Sequence, residues 1–379
     1  MSSSGLYGPA DFQAPITTHL DTAWWARMLA FYADQEIVGA QFRAEVPLAA
    51  VLNPHLLSVA AAADKIDNEH TRFADCGYYG VSPDLPFFPR WLTAQGSVPK
   101  SDGHARPVQD VSMPREDLFY VNGEPVVSIN VASGAGRRER DAAIAAGAEP
   151  KWPHEVKPTT ADSMHDDAIL LHAALYVWHA PVCAMMDDER DSFMQHNLAA
   201  SELHKACFLW RRRLDAPDAG DLEFLDPQCL TYGFATASNI KQRVAWALTA
   251  IVEEIFDAEE AVLFALETDP ARRAYIAERA EVSLRTGRNE LRLYAARIYT
   301  DDCRFAAVGV DRQLRLLRVW RRVTLEFGLR MAAPEKRGFG VSGIWLGVMH
   351  APPLGSPSSR QPSGSPRYTA RAPPLAAAA

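Results

Sequence analysis

Arg297-Ile298-Tyr299-Thr300-Asp301-Asp302-Cys303-Arg304-Phe305 sets two adjacent carboxylates inside an otherwise strand-forming run. Residues 293–299 on one side and 305–310 on the other carry the β-branched and aromatic side chains of two short strands, and Asp-Asp favours the tight turn between them. The stretch therefore predicts a β-hairpin with Asp301 and Asp302 at its tip. Two carboxylates held together on a rigid turn repel each other, and a divalent cation relieves that repulsion. An isolated Asp-Asp by itself is more commonly a solvated surface turn, so the rest of the chain must decide.

The totals are those of a globular protein: 379 residues, 48% hydrophobic and 23% charged, long enough for two or three lobes. A net charge of -8 and a pI near 5.8 exclude a bulk basic field for nucleic acid, so any such contact must be local. Cys76, Cys183, Cys207, Cys229 and Cys303 are odd in number and never spaced Cys-x-x-Cys, which argues against a disulfide framework and a structural zinc site. No apolar run approaches the ~20 residues of a membrane span, and residues 1–14 lack the pattern of a secretory signal. The expectation is an intracellular protein, cytoplasmic or nuclear, without a membrane partner.

Along the chain, residues 1–16 read as a flexible lead. Helices are expected around Trp24 and Trp25 and over 47–65. Residues 76–89 read as a connector. Within 96–114, Asp102-Gly103 is a hairpin-turn dipeptide that brings Lys100 and Arg106 beside one turn, a pair suited to a triphosphate. Residues 134–151 read as a mobile insertion, and 160–178 as a long helix. His165, His172 and His179 recur every seventh residue on it, too far apart to share one metal ion.

A buried strand follows at Val182 and stops at Asp187-Asp188, with Phe193 five residues beyond. Residues 206–210 form another strand, ending in Arg211 to Arg213. Residues 230–242 are a glycine-containing loop opening a helix that runs to about Leu266, with Ser238 or Asn239 as its N-cap. More helix is expected over 268–283. A basic amphipathic helix covers 311–327, and Gly328 stops it. Short strands are expected at 329–331 and 344–348, then a Pro, Ser and Ala-rich disordered tail over 349–379.

Asp188 ends one strand and Asp301 lies at a hairpin tip, an arrangement that converges if the strands are sheet neighbours. Convergent carboxylates, a Lys100/Arg106 clamp and a bulky Phe193 next to Asp188 together suit two-metal phosphoryl transfer that excludes a 2'-hydroxyl. The order of these parts over residues 91–348 resembles the reverse transcriptase domain of retroelements. The resemblance implies an α+β right-hand polymerase plan: fingers and a palm whose antiparallel sheet packs on helices, with no thumb following. It divides the chain into an N-terminal helical extension (1–75), a fingers-like region with an insertion (76–180), a palm (181–348) and the tail (349–379).

The same resemblance assigns roles. Val98-Pro99-Lys100-Ser101-Asp102-Gly103 and Arg106-Pro107-Val108-Gln109-Asp110 look like the fingers segment, with Lys100 and Arg106 meeting incoming nucleotide. Met186-Asp187-Asp188 with Phe193 looks like the first palm motif, which makes Asp188 a metal ligand, Glu189 a backbone-carbonyl ligand and Phe193 the sugar gate. Gly233 with Gln242 looks like the motif that packs on template and nucleotide. Tyr299-Thr300-Asp301-Asp302 looks like the Tyr-x-Asp-Asp box, with Asp301 the second shared metal ligand and Asp302 the auxiliary one. Lys336, after Gly328-Leu329 and Pro334-Glu335, is implied to assist pyrophosphate departure, and Trp345-Leu346-Gly347 resembles the primer grip.

The implied activity is RNA-directed DNA synthesis from dNTPs on an RNA or DNA template with a primer. It uses two Mg2+ ions, with Mn2+ able to substitute. Asp187-Asp188 and the Ala-Ser-Asn-Ile-Lys-Gln-Arg run around Asn239 look most like DIRS-type retrotransposons. Two other classes compete. One is a truncated, inactive relic that binds nucleic acid through Arg211 to Arg213 and the arginines between Arg312 and Arg322. The other is a helical structural or assembly protein, which leaves Asp188, Asp301 and the hairpin unexplained.

Overall fold

The structure, a computed structural model, describes residues 51–52, 62–82, 91–100, 103–112, 120–121, 124–125, 130, 137–148, 160–198, 203, 207–211, 222–346 and 348–350. Its strands are β1 Val51–Leu52, β2 Tyr79–Ser82, β3 Trp91–Leu92, β4 Ala94–Pro99, β5 Ala105–Asp110, β6 Tyr120–Val121, β7 Glu124–Pro125, β8 Val182–Asp188, β9 Phe208–Arg211 and β10 Leu222–Pro227. After these come β11 Tyr294–Tyr299, β12 Asp302–Val308, β13 Gly338–Gly340, β14 Gly343–Trp345 and β15 Val348–His350. The helices are α1 Ala63–Asp75, α2 Arg137–Ala145, α3 Thr160–Ala173, α4 Ala235–Ala265, α5 Pro270–Thr286 and α6 Val310–Phe327. The chain is α+β.

The central element is a four-stranded sheet in the order β11-β12-β8-β13, antiparallel throughout. Alternation along its strands sends side chains to two faces. Met185, Ala296, Ile298, Cys303, Phe305 and Ala307 pack with α4 and α6, where Val244, Leu248, Leu316, Trp320 and Val323 are buried against them. Val182, Ala184, Ala295, Ala306 and Val308 face the other way, onto Leu170 and Ala173 of α3 and Tyr275 of α5. Each large side chain buried here contributes ~1.5–3 kcal/mol.

Along the α3 face the rows change character. The apolar row is followed by Arg297 and Arg304, which are paired across β11 and β12 and bound to Asp166 and Asp167 of α3. Beyond them, at the end of β8, come the acids. A second, three-stranded sheet, β2-β10-β9, carries α1, whose Ile66 and Phe73 pack with Tyr78, Tyr79, Phe208, Trp210 and Leu225.

Several expectations are corrected. The helix expected over 47–65 is instead a strand at Val51–Leu52 and a helix that begins at Ala63. The connector at 76–89 contains β2, and the insertion at 134–151 contains α2. Helix α4 starts at Ala235, ahead of Ser238 and Asn239. Its first amide, Ala235 N–H, donates to Asn130 Oδ1 at 2.8 Å, so a distant residue supplies the cap.

The strand expected at 305–310 begins at Asp302 and ends at Val308. Met331 makes only an isolated bridge, to Glu189, and the later strands are β13, β14 and β15. Trp24, Trp25, Arg212, Arg213, Gly347 and residues 351–379 lie outside the described residues. The long helix at 160–178 is present as α3 followed by a π-helical turn, Ala174–Trp178.

Candidate active site

Alternation at the end of β8 separates the doubled acid. Asp187 turns to the core face, where Trp320 Nε1–H donates to its Oδ2 at 3.1 Å and Arg337 forms an ion pair at 3.1 Å. Asp188 turns to the α3 face and lies directly across from Asp302 in the ladder, with Tyr299 next in the same row. Partners in such a ladder hold their Cβ atoms about 5 Å apart. Asp301 occupies the two-residue turn between Tyr299 and Asp302, so the hairpin tip is Thr300-Asp301 and Asp302 belongs to the strand.

The turn carries strain. Thr300 has φ 52°, a left-handed conformation that a β-branched residue adopts at a cost of about 1–3 kcal/mol. Gln242 offsets it. From the buried face of α4 its Nε2 donates to Ile298 O at 3.0 Å, and its Oε1 accepts from Thr300 N–H at 3.0 Å. Thr300 Oγ1 also donates to Asp301 Oδ1 at 2.7 Å, and Glu189 N–H donates to Asp301 O at 3.3 Å, tying the turn to the end of β8. Gln242 thus acts as a splint for the acidic hairpin.

The acids share a field. Burial, then the neighbouring charge of Asp301, raises the Asp188 carboxyl above the ordinary range, and Lys336 opposes the shift. Burial with the charges of Asp301 and Asp188 raises Asp302 to about 6. Lys336 Nζ, from the short turn Pro334–Lys336, lies 3.4 Å from Asp188 Oδ2. Below this cluster Glu189 and Lys241 form an ion pair at 2.5 Å with both side chains fully buried, and Ser192 Oγ–H donates to Glu189 Oε2 at 3.2 Å.

The remaining expected residues come in from other segments. Arg106 on β5 places its guanidinium 4.6 Å from the ring centroid of Tyr232, and Phe193 meets that ring edge-on at 5.1 Å. Gly233 follows Tyr232 with φ 118°, and a Cβ there would stand 1.8 Å from Gln109 O, so the loop into α4 is pressed against β5. Lys100 lies past the end of β4, two register steps nearer the turn than Arg106. Trp345 is buried in β14, and Leu346, at φ 48°, begins the turn toward β15. Gly347 lies outside the described residues.

The arginine track of the relic reading is corrected in part. Arg312 and Arg315 both bind Glu260, and Arg322 binds Glu326 one helical turn on, so α6 uses these cations within the fold. Lys241, Tyr232, Thr300 and Asn130 were not singled out from sequence. Lys241 left a trace there: it adjoins the apolar stripe of Ile240, Val244 and Leu248, and a cation that shares such a face calls for a buried anion.

Among the described residues, no three His, Cys, Asp or Glu side chains form a set disposed to hold a metal ion, and no helix is long and apolar enough to cross a membrane. No family model matches the chain, and no curated protein matches it. Among solved structures it is similar to a foamy viral protease-reverse transcriptase in complex with ds DNA, at 13% identity and a TM-score of 0.44. The match covers 93% of this chain and 47% of that one, so the chain spans about half its length.

Proposed function

We propose that this chain is a template-directed nucleotidyl transferase, an RNA-dependent DNA polymerase of the reverse transcriptase kind, with residues 181–348 as its palm and 76–180 as its fingers. The observation that carries the reading is the cross-strand pairing of Asp188 with Asp302 on one sheet face, with Asp301 in the adjoining turn and Lys336 3.4 Å from Asp188. Motifs more than a hundred residues apart thereby meet, as the Tyr-x-Asp-Asp resemblance requires.

Carboxylate oxygens are the donors that Mg2+ and Mn2+ take. The proton affinities of Asp188 and Asp302, raised by burial and by the charge of Asp301, mark anions that a cation would relieve. Asp188 and Asp301 would hold the ions, with the Glu189 carbonyl as a further oxygen and Asp302 auxiliary; the three carboxylates are not set as a metal cluster in this structure, so bound ions would have to draw them together. Divalent ions held there would supply a lowered pKa for a primer 3'-hydroxyl and a counter-charge for the triphosphate.

The chain's own groups do the rest. Arg106 faces the phosphates, Phe193 closes the space beside the sugar, and Lys336 stands where a departing pyrophosphate needs a cation or a proton. Gln242 and Gly233 position the acidic hairpin and the loop into α4. Trp345 and Leu346 would be the groups on the primer side. Assignment to a DIRS-type element rests only on Asp187-Asp188 and the run around Asn239, and Asp187 has a core role here.

Primer extension with dNTPs and Mg2+ on an RNA template tests the reading. Wild type should extend the primer, and Asp188→Asn and Asp301→Asn should abolish extension while remaining folded. Equal signals from wild type and variants, or none from any, would overturn it.

A further inference from the structure

α4 and α6 pack on the same face of the central sheet, so both turn their outer faces the same way, off the sheet. They run antiparallel. α4 starts at the hairpin tip, where Gln242 binds Ile298 and Thr300, and later passes Tyr294 at the other end of β11, whose hydroxyl donates to Asp257 Oδ1 at 2.7 Å. α6 starts beside Val308 and returns to the tip end, where Trp320 binds Asp187. Glu260 of α4 holds both Arg312 and Arg315 of α6, which sets position 260 level with 312–315.

The outer faces complement each other. On α4, Glu254, Ala258 and Val262 recur four apart and lead to Leu266, its C-cap. All four are exposed, Val262 at 61% and Leu266 at 69%. On α6, Val310 and Leu314 are exposed at 46% and 45%. Arg318 and Arg321 follow, exposed and with no carboxylate partner among the described residues. From N to C, α4 therefore shows acid and then apolar surface, and α6 shows apolar surface and then base. Exposed apolar side chains grouped in this way mark an interaction surface.

A two-fold axis parallel to these helices would lay α4 of one copy over α6 of the other and keep every residue at its own height. Six residues back from Glu260 on α4 corresponds to six forward on α6, so Glu254 comes level with 318–321, where Arg318 and Arg321 stand. Val262, with Leu266 one turn on, comes level with Leu314 and Val310. The same rotation repeats both contacts. Acid then meets base and apolar surface meets apolar surface twice, over ~18 Å of helix.

We infer that this chain self-associates as a two-fold dimer through the outer faces of α4 and α6, with Glu254 of one copy, helped by the half-exposed Glu259, against Arg318 and Arg321 of the other. The hairpin-tip acids take no part, so the dimer stands apart from the nucleotidyl-transfer reading.

Sedimentation velocity of the full chain from about 1 to 100 μM, a range suited to a small interface, tests it. Wild type should pass from monomer to dimer mass. Arg318→Glu with Arg321→Glu sets like charges opposite each other and should weaken the dimer by about a hundredfold, as should Glu254→Arg with Glu259→Arg. An equal mixture of these two variants should form a 1:1 dimer, because each offers the sign the other needs at both contacts. Leu266→Ser, at an exposed position outside the core, should weaken association about tenfold while leaving both charge clusters intact.

Wild type that stays monomeric across the range overturns the inference. So do charge-reversed variants that still dimerise alone or that fail to associate when mixed, and a Leu266→Ser chain that dimerises as wild type does. Growth past the dimer into open polymers would overturn the two-fold arrangement.

Discussion

Replacing Lys241 with Met tests the buried ion pair beneath the acidic hairpin. Lys241 and Glu189 are fully buried, 2.5 Å apart, and Glu189 Oε1 has no further partner among the described residues. Burial raises the Glu189 carboxyl to about 7 from its ordinary 4.5, with Lys241 the chief opposing influence. A carboxyl whose folded pKa exceeds its unfolded one holds its proton more tightly when folded. It therefore subtracts stability as pH climbs from the unfolded to the folded value, and nothing more beyond.

In wild type that loss is complete near pH 7; in Lys241→Met it continues upward, because the opposing cation is gone. Below pH 7 the variant should trail wild type by ~1 kcal/mol, the worth of the lost hydrogen bond. Each further pH unit should widen the gap by ~1.4 kcal/mol, to a total of about 4 kcal/mol at pH 9. That agrees with the ~3–5 kcal/mol expected for breaking a buried pair. Urea unfolding at pH 6.5 and pH 9 measures both points. In Glu189→Gln/Lys241→Met the gap should not widen, and a flat gap in the single variant or a widening one in the double would refute the reasoning.

Gln242→Leu leaves Thr300 N–H and Ile298 C=O without the amide that joins them, at ~1–3 kcal/mol each; amide hydrogen exchange at residues 298–302 should speed up while the α6 core stays protected. Gly233→Ala drives a Cβ into Gln109 O at φ 118° and should destabilise by about 3 kcal/mol, read as a lower thermal midpoint. Asp226, buried beside Gln228 and Cys207, has its carboxyl pushed up to about 7 by burial, so wild-type stability should fall as pH rises from about 4 through 7. Asp226→Asn should flatten that profile in thermal melts and gain at pH 8 relative to wild type.

Much of the site was legible in the chain because its signals are local. Asp-Asp between two strand-forming runs forces a hairpin, Asp102-Gly103 forces another, and an apolar run halted by Asp187-Asp188 ends a strand whatever surrounds it. The amphipathic stretch ending at Gly328 is a helix on periodicity alone. Other features were hidden for physical reasons. α1 buries Ile66 and Phe73 beside Glu69 and His70, so although its spacing is helical its inner face carries few apolar residues to mark it. The cap of α4 comes from Asn130, more than a hundred residues away, so no local motif marks it.

Sequence by itself determined which residues could be acids, cations and turns, since those properties belong to single side chains and their near neighbours. Only the tertiary structure decided which of two adjacent acids faces the core and which faces Asp302, because strand register, a long-range property, sets the face of every side chain. It also decided that Arg312 and Arg315 bind Glu260 while Arg106 rests on Tyr232, since a cation's partner is whatever anion or ring the packed chain brings within reach.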